Sequence, residues 1–308
     1  MPATPSINRA LFLLKLSATL IFLGHAYGYY FFGSPLRVLL WDQHLMESIV
    51  NWLGSDWNDY VGDPENSLSI RYLTGFIAFT WLVAGVAVWG KPNRLRSPRR
   101  FLLWLGTFFL LLHTFLDWKD HWFRLAQLLE HAIQVVTPLL ILYVGKRGLV
   151  TTKPGTRLTF RAPTPNDVAQ LLLYCKIAIA LTFASHGLFA LSVYPIPGNF
   201  IDMVISITGL GEGAVRSLLL VAGVLDLVIA VGVFLPRRFA RPVLYYATFW
   251  GLATALARLL AGFQWGDPLL SLHNYGYQVI YRLPHGLLPL VALLLSSYLS
   301  SDRKEVGG

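Results

Sequence analysis

The sequence predicts an all-α fold, a polytopic membrane helix bundle of about eight transmembrane helices arranged as two tandem four-helix repeats. Three features lead to this prediction: the composition, a series of long apolar runs and an internal duplication. Of the 308 residues, 55% are hydrophobic and 13% are charged, whereas about 25% of a soluble domain is charged. So few charges could not cover the surface of a water-soluble chain, and we therefore expect lipid as the solvent.

The apolar runs place the membrane spans. Roughly 20 apolar residues in helical conformation cross a bilayer, because lipid offers no hydrogen-bond partner to the backbone. The first run is too long for a cleavable signal peptide, so we expect it to be retained as the first span. The predicted spans lie near residues 9–32, 69–90, 99–118, 121–145, 167–193, 214–236, 241–263 and 277–299.

The charges between the predicted spans indicate an orientation. Lysines and arginines concentrate in the segments after spans two, four and six, and acidic residues concentrate in the other loops. Because basic loops tend to stay in the cytoplasm, we expect a multi-pass cell-membrane protein with both termini in the cytoplasm. This asymmetry explains the net charge of +9, so membrane lipid is an expected partner and nucleic acid is not.

The two halves of the chain repeat each other. Lys15 and His25 in span one match Lys176 and His186 in span five, with nine residues between the members of each pair. Each repeat contains four spans, an even number, so the halves share one orientation and differ from inverted-repeat transporters. The predicted organisation is a first repeat, a cytoplasmic linker and a second repeat, at residues 1–148, 149–166 and 167–300.

A segment between the first two spans of each half is amphipathic. Apolar residues from Val38 to Trp52 recur every three or four positions, which predicts one helix lying in the outer membrane interface. An acidic, Trp-bearing loop is expected to follow it through residue 68. In the second half, residues 200–210 form a shorter version of this helix.

Short motifs mark the second half. An apolar run ends in His186-Gly187, the next span carries Asp226, and that span closes with Arg237-Arg238. These features resemble the helix-one His-Gly motif, the Gly-x-x-Glu pattern and the basic end of helix two in the DoxX-like family, with Asp226 in place of the glutamate. The first half keeps His25 but has no acid equivalent to Asp226. The resemblance implies two fused DoxX-like units near respiratory or redox chemistry.

Ionisable side chains inside the spans are costly and are functional candidates by default. Most of the histidines fall in the predicted outer half of the membrane. The candidate ligand-binding residues, none of them assigned to a metal, are His25, Glu130, His131, His186, Asp226, Arg258, Arg282 and His285. We expect Asp226 to be paired or protonated, because a lone carboxylate at mid-span would be unstable, and Arg258 or a histidine is its expected partner.

Four hypotheses compete for these polar groups. A metal could bind His113, Asp117 and His121 if their helix continued, because they are spaced four residues apart. However, residues 117–120 are expected to form the turn between spans three and four, which would break this face. A haem could be ligated by His25 with His131, or by His186 with His285. The groups could line a cavity for a quinone head group, which the family resemblance favours, or they could simply join helices by hydrogen bonds.

Proline adds a further alternative. Pro138 should kink span four, and Pro284 and Pro289 should kink span eight. The kink at Pro284, beside His285, would either open a polar pocket or only shape the bundle. No pair of spans is expected to be short or unwound, and such a pair would be the sequence mark of a transporter's substrate site.

No catalytic motif of a soluble enzyme is present, with neither a P-loop nor an HExxH sequence. Whether the protein is an enzyme is therefore left open. The first functional hypothesis is a quinone-interacting redox subunit or accessory. The alternative is a non-enzymatic scaffold or assembly factor that binds a membrane or periplasmic partner through its extracytoplasmic side.

Overall fold

A computed structural model describes residues 5–90, 97–119, 121, 123–147 and 164–306. All regular secondary structure in these ranges is helical, which confirms the all-α prediction. The helices are α1 Pro5–Phe32, α2 Leu36–Leu40, α3 Gln43–Trp52, α4 Trp57–Gly62, α5 Pro64–Ala87, α6 Ser97–Lys119, α7 Leu125–Leu129, α8 Ala132–Arg147, α9 Pro165–Ala190, α10 Gly198–Thr208, α11 Glu212–Gly232, α12 Arg237–Ala261, α13 Pro268–Arg282 and α14 Pro284–Val306.

Eight helical segments in the described ranges are long and apolar enough to cross a membrane, as predicted. Six of them are single helices, whereas the fourth combines α7 with α8 and the eighth combines α13 with α14. The eighth segment begins at Pro268 rather than near residue 277, because Asp267 caps α13 by accepting a hydrogen bond from the Leu270 N–H. Most of the predicted linker, 149–166, and the basic segment 91–96 lie outside the described residues.

The predicted amphipathic helix after span one is two helices, α2 and α3. The division falls at Asp42, whose side chain accepts the Leu45 N–H and so starts a new helix. The acidic segment through residue 68 is also more helical than expected. Asp56 caps α4, and Asp63 caps α5, which begins at Pro64. The prediction extends the loop through residue 68.

One hydrophobic core joins both halves of the chain. It contains Phe22 and Trp81 from the first half together with Phe183 and Leu288 from the second, all of them buried. Helix α1 packs against α5 but also against α13 and α14, and α9 packs against α11 but also against α7 and α8. The halves are therefore interleaved, and the interface between them is part of the core.

Large apolar side chains cover much of the outside of the bundle. They include Phe79 on α5, Phe108 on α6, Val231 on α11 and Phe249 on α12, each more than half exposed. A soluble monomer rarely leaves so much apolar surface in contact with water. Contact with lipid is the physical explanation for this surface.

Candidate functional site

A continuous polar cluster lies between the two halves of the bundle. The ring of His113 lies 4.9 Å from that of His25 and 5.9 Å from that of His131, measured between centroids. Glu130 extends the cluster, because its carboxylate oxygens lie 3.9 Å from His131 Nδ1 and 3.8 Å from His186 Nε2. The cluster thus runs from α1 and α6 in the first half to α9 in the second.

The interruption of span four places His131 in this cluster. In the first turn of α8, directly after the break, the N–H of Ile133 donates to Thr182 Oγ1 of α9, at 3.1 Å. The Nδ1 atom of His131 lies 3.2 Å from the carbonyl oxygen of Gln127. Because a carbonyl can only accept, Nδ1 carries the proton in this contact and Nε2 is the ring nitrogen left for other partners.

The interruption of span eight repeats this arrangement at His285. Pro284 has no N–H to continue the helix from α13 into α14, and His285 Nδ1 donates to the Arg282 carbonyl oxygen at 2.9 Å. The expectation that no pair of spans is interrupted is therefore wrong. The break in span four contains neither Pro nor Gly, so the pattern along the chain gave no sign of it.

A cavity of about 520 Å³ opens among α9, α10, α11, α12 and the junction of α13 with α14. Most of its lining is apolar. Five of the eight candidate residues are among the polar residues that line it: His186, Asp226, Arg258, Arg282 and His285. This size and composition are typical of a pocket for a small ligand, in which few polar groups orient a mostly apolar molecule.

Several buried polar atoms beside the cavity have no hydrogen-bond partner. They are Nε2 of His186, Nε2 of His285 and Nε of Arg282. The rings of His186 and His285 are nearly parallel, with centroids 5.8 Å apart. A buried polar atom without a partner is costly, and a ligand that supplied the missing contact would be stabilised by it.

Asp226 has a different partner from the one expected. Its Oδ1 accepts a hydrogen bond from Trp250 Nε1 at 2.9 Å, so the predicted pairing with Arg258 or a histidine is wrong. Trp250 comes from α12 and is itself part of the cavity wall. Nothing in the sequence pattern indicated this role, because a tryptophan in an apolar span is typical of a lipid anchor or a core residue.

The His-Gly motif has a packing explanation. A Cβ atom added to Gly187 would lie 2.9 Å from the carbonyl oxygen of Gly223, and one added to Gly223 would lie 3.1 Å from that of Gly187. The two glycines let α9 and α11 approach closely. This contact holds His186 and Asp226 on neighbouring helices at the same cavity.

The remaining candidate, His25, is enclosed by the core. Its Nε2 contacts Gln134 Oε1 at 2.9 Å, and its ring stacks on Tyr281 with 4.6 Å between centroids. A haem held by His25 and His131 does not fit this packing, because the ring of His113 lies against both histidines. Gln134, Tyr281 and Thr182 were not singled out, since each looks like an ordinary residue of an apolar span.

The metal site on one helical face does not form, because the helix ends before His121, as expected from a turn between spans three and four. Helix α6 ends at Lys119, so His121 lies exposed in the following turn, away from His113 and Asp117. His131 takes its place, with Nε2 3.8 Å from Asp117 Oδ2. The helix end breaks the spacing of four on which the prediction rested.

Comparisons of the chain with known proteins found no matching protein-family model, no similar curated protein and no similar solved structure. The resemblance to the DoxX-like family therefore stays a prediction. The function must be argued from the geometry of the cluster and the cavity.

Proposed function

We propose that the cavity binds the head group of a quinone or quinol, and that the protein acts as a redox subunit or accessory in the membrane. One observation carries this proposal: the residues that line an apolar cavity of about 520 Å³ include three with a buried nitrogen atom that has no hydrogen-bond partner. They are His186, Arg282 and His285. A quinone combines an apolar ring and tail with two oxygen atoms, and such a cavity matches both parts.

The unpartnered atoms suit both redox states of the ligand. Arg282 Nε is a donor and would bind a quinone carbonyl oxygen. His285 donates from Nδ1 to the Arg282 carbonyl, so its neutral ring offers Nε2 as an acceptor for a quinol hydroxyl group. Oxidation of a quinol releases two electrons and two protons. Under this proposal Asp226 in the cavity lining and Glu130, which lies 3.8 Å from His186 Nε2, would receive the protons.

The electrons must come from or go to another protein under this proposal. Cys175 is the one cysteine of the chain, so no internal disulfide can form and accept or donate the electrons. The resemblance to DoxX-like membrane subunits supports an accessory role beside a membrane or periplasmic partner. The chain itself would supply the head-group site.

The test measures binding of a short-tail benzoquinone to the purified protein in mild detergent. Replacing Leu225 on the cavity wall with tryptophan should weaken binding at least tenfold, because the larger side chain fills the cavity. Leu220→Trp is the matched control, since Leu220 lies on the same helix and 55% of it is exposed on the outside. His186→Ala and His285→Leu should also weaken binding about tenfold or more by removing polar contacts.

Equal binding by the protein and Leu225→Trp, or no saturable binding at all, would overturn the proposal. A reduced-minus-oxidised absorption spectrum is recorded before the binding assay. Haem bands in it would indicate that histidines such as His186 and His285 bind iron. If neither ligand binds, the scaffold hypothesis takes its place. Deletion of residues 55–62, which include exposed α4, would then be expected to release a co-purifying partner.

A further inference from the structure

A second group of side chains lies outside the cavity, at the other end of the polar cluster. His113 and Asp117 are one turn apart on α6, and His131 reaches them from the break between α7 and α8. Asp117 Oδ2 lies 3.5 Å from His113 Nε2 and 3.8 Å from His131 Nε2. One ligand atom from each of the three residues lies within 4.8 Å of the other two.

Each histidine is oriented by a contact at its other ring nitrogen. His113 Nδ1 lies 3.2 Å from the hydroxyl oxygen of Tyr29, and His131 Nδ1 lies 3.2 Å from the Gln127 carbonyl oxygen. Histidines that bind metals almost always make such an outer contact, which directs the free nitrogen at the ion. Here both free nitrogens are directed at the same carboxylate.

The carboxylate of Asp117 and the lone pair of His131 Nε2 favour a cation between them. His131 donates from Nδ1, so in the neutral ring the lone pair of Nε2 faces the Asp117 carboxylate. Two acceptors facing each other in a largely buried site repel, unless a positive charge lies between them. A metal ion bound by both atoms would satisfy this requirement.

We propose that His113, Asp117 and His131 bind a divalent transition-metal ion, with Zn²⁺ the best match. Two imidazoles and a carboxylate form a catalytic type of zinc set, in which a fourth position stays open for water or another ligand. Donor atoms around a tetrahedral zinc ion are about 3.3 Å apart, as follows from bond lengths near 2.0 Å. The observed separations need to shrink by about 1.5 Å at most, which side-chain rotation can supply.

This site is separate from the cavity, and the inference does not rest on the proposed function. Glu130 lies between the two, near His131 on one side and His186 on the other. His25 is not a ligand, because its Nε2 is engaged by Gln134 and its ring packs against that of His113. Its T-shaped packing against the His113 ring, with 4.9 Å between centroids, positions that ring.

The test titrates the full-length, tag-free protein with Co²⁺ after dialysis against a chelator, and follows the visible absorption of the bound ion. The protein should bind one equivalent with a dissociation constant below about 1 µM, and Zn²⁺ should displace it. Asp117→Asn and His131→Gln should each weaken binding at least tenfold. Tyr29→Phe should weaken it by about 10–100-fold through the lost outer contact.

His121→Gln is the matched control, because it removes an exposed histidine four residues beyond Asp117 and should leave the titration unchanged. If a variant fails to fold, the titration of the unaltered protein still tests the proposal. Failure of that protein to bind Co²⁺ or Zn²⁺ in this range overturns the proposal and indicates a proton between Asp117 and His131. Equal loss of binding in His121→Gln overturns the assignment of ligands.

Discussion

At the residue scale, two histidines take over hydrogen bonds that the helices lose. His131 and His285 each donate from Nδ1 to a carbonyl oxygen beside a helix break. The same contact decides the chemistry of the ring, since it leaves Nε2 unprotonated in the neutral form. A histidine in an intact helix would have no such preference, so the breaks determine what these side chains can bind.

Asp42 provides a residue-scale prediction outside the membrane spans. Its carboxylate pairs with Lys119 and accepts the Leu45 N–H, and these contacts hold its pKa below the usual value of 3.8. The charged form is favoured in the folded state, so its stabilising contribution is complete above about pH 4 and disappears as the pH falls through the lowered pKa. Asp42→Asn should therefore be less thermally stable than the unaltered protein at neutral pH.

Melting curves from pH 7 down to pH 2.5 measure this prediction. The difference between the protein and Asp42→Asn should shrink as the pH falls below about 4. Asp202→Asn, which changes an exposed acid on α10, serves as the control and should parallel the unaltered protein throughout. A difference for Asp42→Asn that stays constant down to pH 2.5 would contradict the role given to its charge.

At the element scale, the packing of α12 on α14 depends on two glycines. A Cβ atom on Gly251 would lie 2.4 Å from the carbonyl oxygen of His285, and one on Gly286 would lie 2.7 Å from that of Thr248. Both clashes are with backbone atoms, which cannot move aside like a flexible side chain. The close approach also brings the helix break at His285 against α12, which forms one wall of the cavity.

Gly251→Ala should destabilise the protein by about 1–3 kcal/mol, because the added methyl group forces the two helices apart. Unfolding in a detergent that denatures membrane helices gives the free energy. Gly276→Ala on α13 is the control, since nothing lies within 4 Å of its added Cβ and alanine favours helix by about 1 kcal/mol. Equal stability of the two variants would contradict the close packing described here.

At the scale of the whole molecule, the two predicted repeats form one packed unit. Helix α1 of the first half lies against α13 and α14 of the second, and α8 of the first lies against α9. The polar cluster crosses the same interface, from His113 to His186 through Glu130. Neither half alone contains a complete core or a complete cluster.

A chain divided between residues 148 and 163 tests this arrangement. The two fragments, expressed together, should co-purify and keep most of the thermal stability, because the interhelical contacts survive the cut. Each fragment expressed alone should aggregate or be degraded, since α1 and α9 would expose core residues such as Phe22 and Phe183. Stable monomeric halves would show that the repeats are independent domains.

The sequence by itself determined the eight spans and the kinds of polar side chain inside them. The mean hydropathy of about 20 residues depends only on neighbours along the chain, so membrane spans can be predicted without knowledge of the fold. The sequence also identified the break at Pro284, because proline lacks an N–H wherever it occurs. Pro138 and Pro289, which are predicted to kink their spans in the same way, lie inside α8 and α14. The orientation and the repeat remain predictions of this kind.

Only the tertiary structure decided which polar residues share a site. His25 contacts Gln134, which is 109 positions away in the sequence, and Ile133 contacts Thr182, which is 49 positions away. These contacts depend on how each helix is rotated and on where it breaks. The sequence hypothesis put His121 beside Asp117, whereas the folded chain has His131 there, so spacing along the chain did not identify the neighbour. Spacing along one helix describes a single face, whereas a site in a bundle is assembled from several helices whose packing is decided by side chains remote in the chain.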